Sequence, residues 1–260
     1  MVLYRTHKFD EFVRLGWKQL KKQTKNHCIL YDATGKPPLA KTNCFNFTID
    51  DYKDSGYPLA TPEQWKLLPA YQSRGLGSGV GGQESSSPTP VWEIYFNPEY
   101  AVLLYFREHP NFDFYWSIEY DVYFNGNWSV LFDACKEDKS DLLGCYLRKF
   151  EDEIPYNPLW NHLNFDATKE QHKICYGPVQ RYSKEALQIL DKEYQACLHG
   201  FGETAVPTIL SINGLVCTDI NSNGMFYNPQ TFGADYIREN WTHEYFKKYK
   251  NYMFHPFRKV

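Results

Sequence analysis

Residues 2–34 read VLYRTHKFDEFVRLGWKQLKKQTKNHCILYDAT. The opening VLYRT (2–6) is a short β-prone run. Phe9, Phe12, Val13, Trp17 and Leu20 then fall near the 3.6-residue period, with Lys18, Lys21, Lys22 and Lys25 mostly on the other side. That is the pattern of an amphipathic helix. HCILYDAT (27–34) follows as a buried strand, ended by Gly35 and Pro37-Pro38. Strand, helix, strand at this spacing is a βαβ unit, and such units build parallel sheets. The expected fold class is α/β, with a Rossmann-type, mainly parallel central sheet flanked by helices.

Working outward, NCFNFTID (43–50) reads as the next strand. Residues 97–109 read as a helix anchored by Tyr100, Leu103, Leu104 and Phe106, and the aromatic run NFDFYWSI (111–118) as a strand. Asn125-Gly126 signals a hairpin turn. KICYGPV (173–179) reads as a strand, and Ser183 caps a helix over 184–198 with Glu185 in its first turn. Residues 210–255 alternate turns with short elements that the pattern does not resolve. The stretch SRGLGSGVGGQESSSPTP (73–90) reads as a flexible surface loop, with a mobile lid as the sharper alternative. One domain over 1–260 is expected, since 260 residues suffice for one large core.

Composition narrows the function. A formal net charge of −3 argues against a nucleic-acid binder. Aromatic residues reach 18%, and Tyr and Trp pair an apolar face with a polar tip, which suits sugar rings as well as it suits a core. Seven cysteines without a C-x-x-C pair read as free thiols in a reducing compartment. The start MVLYRTHKFDEFV carries early charges and no long apolar run, so a cytoplasmic protein is expected.

The sharpest chemical feature is Glu119-Tyr-Asp121, directly after NFDFYWSI. Two carboxylates at i and i+2 of an extended chain face one side. Strand ends of α/β sheets open onto the ligand crevice. Oxygen ligands there suit Mg²⁺ or Mn²⁺ bridging a diphosphate; a solvated strand edge is the plainer alternative.

FYWSIEYDVYFNGNW (114–128) resembles the acidic-x-Asp region of GT-A nucleotide-sugar glycosyltransferases, with E-x-D in place of D-x-D. The layout is also similar: a βαβ opening, the acidic motif near the middle, an acceptor half afterwards. The resemblance implies that Asp121 is a direct metal ligand and that Glu119 touches the donor ribose, or the metal through water. In the closing FHPFRKV, His255 resembles the late metal-ligating histidine of such enzymes, and Arg258 and Lys259 would face the diphosphate; a frayed basic tail is the alternative. In GFGETAVPTIL (200–210), Glu203 resembles the general base near the acceptor, or else is a helix N-terminal acid favoured by the dipole. The family's donor-binding positions fall on Thr6, His7 and Asp32, where simple strand-end solvation is the rival reading and is the better one for Arg5. Arg181 and Tyr182, in CYGPVQRYS, would line the acceptor site.

What the resemblance implies is an enzyme whose half 1–125 binds a UDP-sugar and whose half 126–260 binds an oligosaccharide or lipid-linked glycan. It uses Mn²⁺ or Mg²⁺, inverts the anomeric centre, and serves surface polysaccharide synthesis such as O-antigen or capsule. A galactosyl donor is the first choice, and the acceptor would draw the enzyme to the inner membrane face. The rivals are a nucleotidyltransferase on a similar sheet and a carbohydrate-binding protein. The first usually opens with a Gly-rich nucleotide loop where this chain has THKFDEF, and the second has no need of Glu119, Asp121 and His255 together.

Overall fold

The computed structural model describes residues 1–61, 96–149, 162–232 and 243–257. The stretch 73–90 and the pair Arg258 and Lys259 lie outside the described residues.

The βαβ opening forms as β1 (Val2–Thr6), α1 (Glu11–Lys22) and β2 (His27–Asp32), with β1 and β2 parallel. Asp10 caps α1 by accepting from the Val13 N–H at 2.9 Å. Glu11 in the first turn and Lys21 and Lys22 in the last complement the helix dipole. Val13, Trp17 and Leu20 are the buried face. The expected strand 43–50 is split. β3 covers Cys44–Phe47, and α2 (Ile49–Asp54) begins at once because the Asp51 carboxylate accepts from the Thr48 N–H at 2.6 Å.

After α3 (Glu99–Glu108) come β4 (Phe114–Glu119), β5 (Tyr123–Phe124) and α4 (Trp128–Ala134). β6 (Leu142–Lys149), β7 (Lys173–Ser183), α5 (Lys184–Gln195), α6 (Gly202–Ile212) and β8 (Cys217–Asp219) follow. A 3₁₀ turn over Ile220–Asn223, then α7 (His243–Lys248) and β9 (Met253–Phe254), complete the described elements. Ser183 caps α5 as expected, accepting from the Ala186 N–H at 2.9 Å. β6 has no counterpart among the expected strands. Asn125-Gly126 turns no hairpin: the chain enters α4, and β5 pairs antiparallel with β9 from the far end of the sequence.

Seven strands form one sheet in the order β3-β2-β1-β4-β7-β6-β8. All run the same way except β7, which is antiparallel to both β4 and β6. The sheet is mainly parallel and both faces are covered, as such sheets require. On one face Leu3 and Tyr115 join α3, α5 and α6 in a core that includes Tyr100, Leu187 and Ile209. On the other, Tyr4, Trp116 and Ile118 pack with Val13, Trp17 and Leu131. All seven cysteines are free. No helix among the described residues is long and apolar enough to cross a membrane.

Candidate metal centre

β1 and β4 are parallel neighbours in a register that sets Arg5 beside Glu119. β4 stops there. The Tyr120 N–H donates to the Arg5 carbonyl at 3.0 Å, and the Val122 N–H folds back to the Glu119 carbonyl at 3.1 Å. Glu119 and Asp121 thus flank a turn and are not alternate residues of one extended strand. The chain's other end is brought in by three backbone connections. β9 pairs with β5, the His255 N–H donates to the Thr231 carbonyl at 3.0 Å, and the Phe257 N–H donates to the Asp121 carbonyl at 2.7 Å.

The three side chains then meet. His255 Nε2 lies 3.5 Å from a Glu119 carboxylate oxygen and 3.3 Å from Asp121 Oδ1. One ligand atom from each residue fits within a 4.8 Å span. Adjacent ligands of an octahedral cation with bonds of about 2.1 Å stand about 3 Å apart, so the spacing fits a small divalent ion. Two carboxylates and one imidazole suit Mn²⁺, and the hard oxygens also suit Mg²⁺. Asp121 and His255 are 5% and 7% exposed. Buried acids so placed demand a nearby positive charge. His255 records that demand: burial lowers its pKa, but the Asp121 and Glu119 carboxylates outweigh burial and push it up from 6.5 to about 9. Its other ring nitrogen, Nδ1, lies 3.1 Å from the Tyr176 hydroxyl.

Glu203 is the second residue of α6. Gly202 lets the helix start close against α3, since a Cβ there would stand 2.6 Å from a Glu99 carboxylate oxygen and 3.0 Å from the Phe96 carbonyl. Glu203 Oε1 accepts from the Gly177 N–H at 3.0 Å. Burial pushes its carboxyl up to about 7; the Gly177 hydrogen bond opposes this, the negative Glu119 adds to it, and His255 and Arg148 oppose it. The result is a carboxyl poised between its two forms near neutral pH, beside a cluster suited to a cation.

No protein-family model matches the chain, and no curated protein matches it. Solved structures do. Mouse xyloside xylosyltransferase 1, in its apo form, is similar at 11% identity and a TM-score of 0.44, over 98% of this chain and 96% of that one. The galactosyltransferase LgtC, in complex with donor and acceptor sugar analogues, is similar at 10% identity and a TM-score of 0.43, over 96% of this chain and 83% of that one. The apo WbbM bifunctional glycosyltransferase is similar at 9% identity and a TM-score of 0.44, over 98% of this chain and 45% of that one. These are likenesses of broad arrangement at low identity. The chemistry of the site follows from this chain's own residues.

The remaining positions divide by sheet edge. Thr6 and Asp32 end parallel neighbours β1 and β2, so they share the edge that carries Glu119. Thr6 spends its hydroxyl locally, donating to the Lys8 carbonyl at 2.6 Å. His7 stands edge-on to Tyr120 with ring centroids 5.1 Å apart. Burial, then Lys36 and Lys8, lower its pKa. Asp32 is buried and accepts from the Thr34 N–H at 2.8 Å through one oxygen.

Arg5 corrects the expectation of a solvated strand end. It is 3% exposed, and its guanidinium donates to the Gly177 carbonyl at 3.0 Å. Arg181 and Tyr182, expected to line the acceptor site, are both buried in β7. Arg181 pairs in register with Trp116, well back along β4. It donates to the carbonyls of Cys135, Asp138 and Ser140 and lies over the Phe114 ring at 4.1 Å. Tyr182 is fully buried and donates to Gln180 Oε1. Tyr176 and Gly177 also face the site, through the His255 Nδ1 contact and the Glu203 hydrogen bond. Their only sequence signal is a place in the KICYGPV strand.

Proposed function

We propose that this chain is a metal-dependent glycosyltransferase that moves a sugar from a UDP-sugar to a carbohydrate acceptor. The observation that carries the reading is the meeting of Glu119, Asp121 and His255 at one sheet edge, with the neutral-range carboxyl of Glu203 beside them. A module that only binds sugar has no need of either feature.

Glu119 and Asp121 would each contribute a carboxylate oxygen and His255 its Nε2 to a divalent cation, which when bound would supply positive charge against the departing diphosphate. Thr6, His7 and Asp32 lie along the same edge and are assigned to the nucleoside part of the donor; Arg258 and Lys259 are assigned to its phosphates. Glu203 takes the proton of the acceptor hydroxyl as the new bond to the anomeric carbon forms and the bond to the diphosphate oxygen breaks. This single displacement inverts the anomeric centre. Residues 1–125 are assigned to the donor and 126–260 to the acceptor. A galactosyl donor, an oligosaccharide or lipid-linked acceptor, and a role in surface polysaccharide synthesis at the cytoplasmic membrane face complete the proposal.

Calorimetric titration of a UDP-sugar panel, with and without Mn²⁺, tests it. The expected result is Mn²⁺-dependent binding that Asp121→Ala abolishes. Equal binding by Asp121→Ala, or binding indifferent to metal, overturns the proposal.

A further inference from the structure

We infer that Tyr176 is a positioning residue for the cation site: its hydroxyl accepts the Nδ1–H of His255 and holds the ring in the state whose Nε2 can ligate. The inference rests on the metal reading above and extends it to a residue that touches no ligand itself.

The two nitrogens of His255 face different partners. Nε2 faces the Glu119 and Asp121 carboxylates, and Nδ1 faces the Tyr176 hydroxyl at 3.1 Å. A neutral imidazole carries one proton. If that proton sits on Nε2, the lone pair needed by a cation is lost. If it sits on Nδ1, it donates to the Tyr176 oxygen and Nε2 is available. When a cation takes the Nε2 lone pair the ring proton is on Nδ1, and the Tyr176 hydroxyl is placed to accept it. Ligating histidines generally need such a partner on the second nitrogen, and its loss weakens metal binding about 10–100-fold.

The pair is held firmly enough for this role. Tyr176 lies in β7, opposite Cys145 of β6. Its ring meets Phe232 edge-on, with centroids 5.6 Å apart, and Phe232 is bridged to His255 through the backbone. Both partners are therefore referred to the same short segment.

Titration of Mn²⁺ alone into wild type, Tyr176→Phe and Asp121→Asn tests this. Tyr176→Phe keeps the ring against Phe232 and removes only the hydroxyl. It should bind Mn²⁺ about 10–100-fold more weakly while its metal-free melting temperature stays at the wild-type value. Unchanged Mn²⁺ affinity in Tyr176→Phe, alongside loss of binding in Asp121→Asn, overturns this inference and spares the metal reading. Wild type that binds no Mn²⁺ overturns both. A second readout does not depend on the variant folding. Nitrogen NMR of histidine-labelled wild type, with Zn²⁺ as a diamagnetic stand-in, should show His255 protonated on Nδ1. A proton on Nε2 overturns the inference.

Discussion

The Phe257 N–H donates to the Asp121 carbonyl at 2.7 Å, so the carboxyl-terminal segment is tied directly to the acidic turn. Between them, β5 and β9 pair Tyr123 with Phe254 and Phe124 with Met253. Phe254 is fully buried and packs on Phe246 with centroids 4.8 Å apart. Phe254→Ala should cost about 3–5 kcal/mol and also weaken Mn²⁺ binding, because His255 is the next residue. Denaturant unfolding and Mn²⁺ titration on the same sample check both. Lost stability with undiminished Mn²⁺ affinity would mean that the β5 and β9 pairing does not hold His255.

Arg181 separates an architectural role from an acceptor role. Its donors satisfy three buried-side carbonyls, and it lies 3.5 Å from Asp138. Arg181→Met removes those donors while keeping the apolar stem. Removing one member of a buried pair costs about 3–5 kcal/mol, so the melting temperature should fall clearly. The folded fraction should keep its acceptor KM. A raised acceptor KM at unchanged stability would favour the acceptor assignment instead.

Gly144 marks a tight approach between β6 and β7. A Cβ there would stand 1.9 Å from Cys175 Sγ. Gly144→Ala should therefore destabilise by about 1–3 kcal/mol through overpacking. Cys175→Ala in the same chain should recover part of the loss. A double-mutant cycle with no coupling would show that the strands simply spread.

The elements that were legible in the sequence are those whose periodicity is local. Val13, Trp17 and Leu20 announce α1, and Ser183 announces the start of α5. β6 was not legible, because LLGCYLRK (142–149) has neither clean alternation nor turn residues at both ends. Asn125-Gly126 misled because the partner of β5 is β9, and no local rule reports a pairing between chain segments so far apart. In the site, the Glu119-x-Asp121 pair is legible from its chemistry, and His255 joins it in sequence only through the resemblance. Tyr176 is not legible, since a tyrosine in an aromatic-rich strand carries no mark until the fold brings His255 to it. Arg181 carries no sequence mark of its partners either, since the carbonyls of Cys135, Asp138 and Ser140 reach it only through the fold.

The last prediction concerns Glu203 and pH. Its carboxyl is raised from 4.5 to about 7, chiefly by burial. Below 4.5 the group is protonated whether the chain is folded or not. Between 4.5 and 7 the folded protein keeps a proton that the unfolded chain has released, so this group's contribution to stability falls as pH rises through that window and levels off above it. Glu203→Gln should flatten that slope in melting experiments. Turnover runs the other way, since only the carboxylate accepts a proton. Wild-type turnover should therefore decline as pH falls below about 7. Glu203→Gln should lose about 10²–10⁴ in turnover while UDP-sugar affinity is retained. A variant that turns over at the wild-type rate removes Glu203 as the base. Product stereochemistry judges the same role independently: retention at the anomeric carbon rules out a single displacement driven by Glu203 even if the variant is inactive.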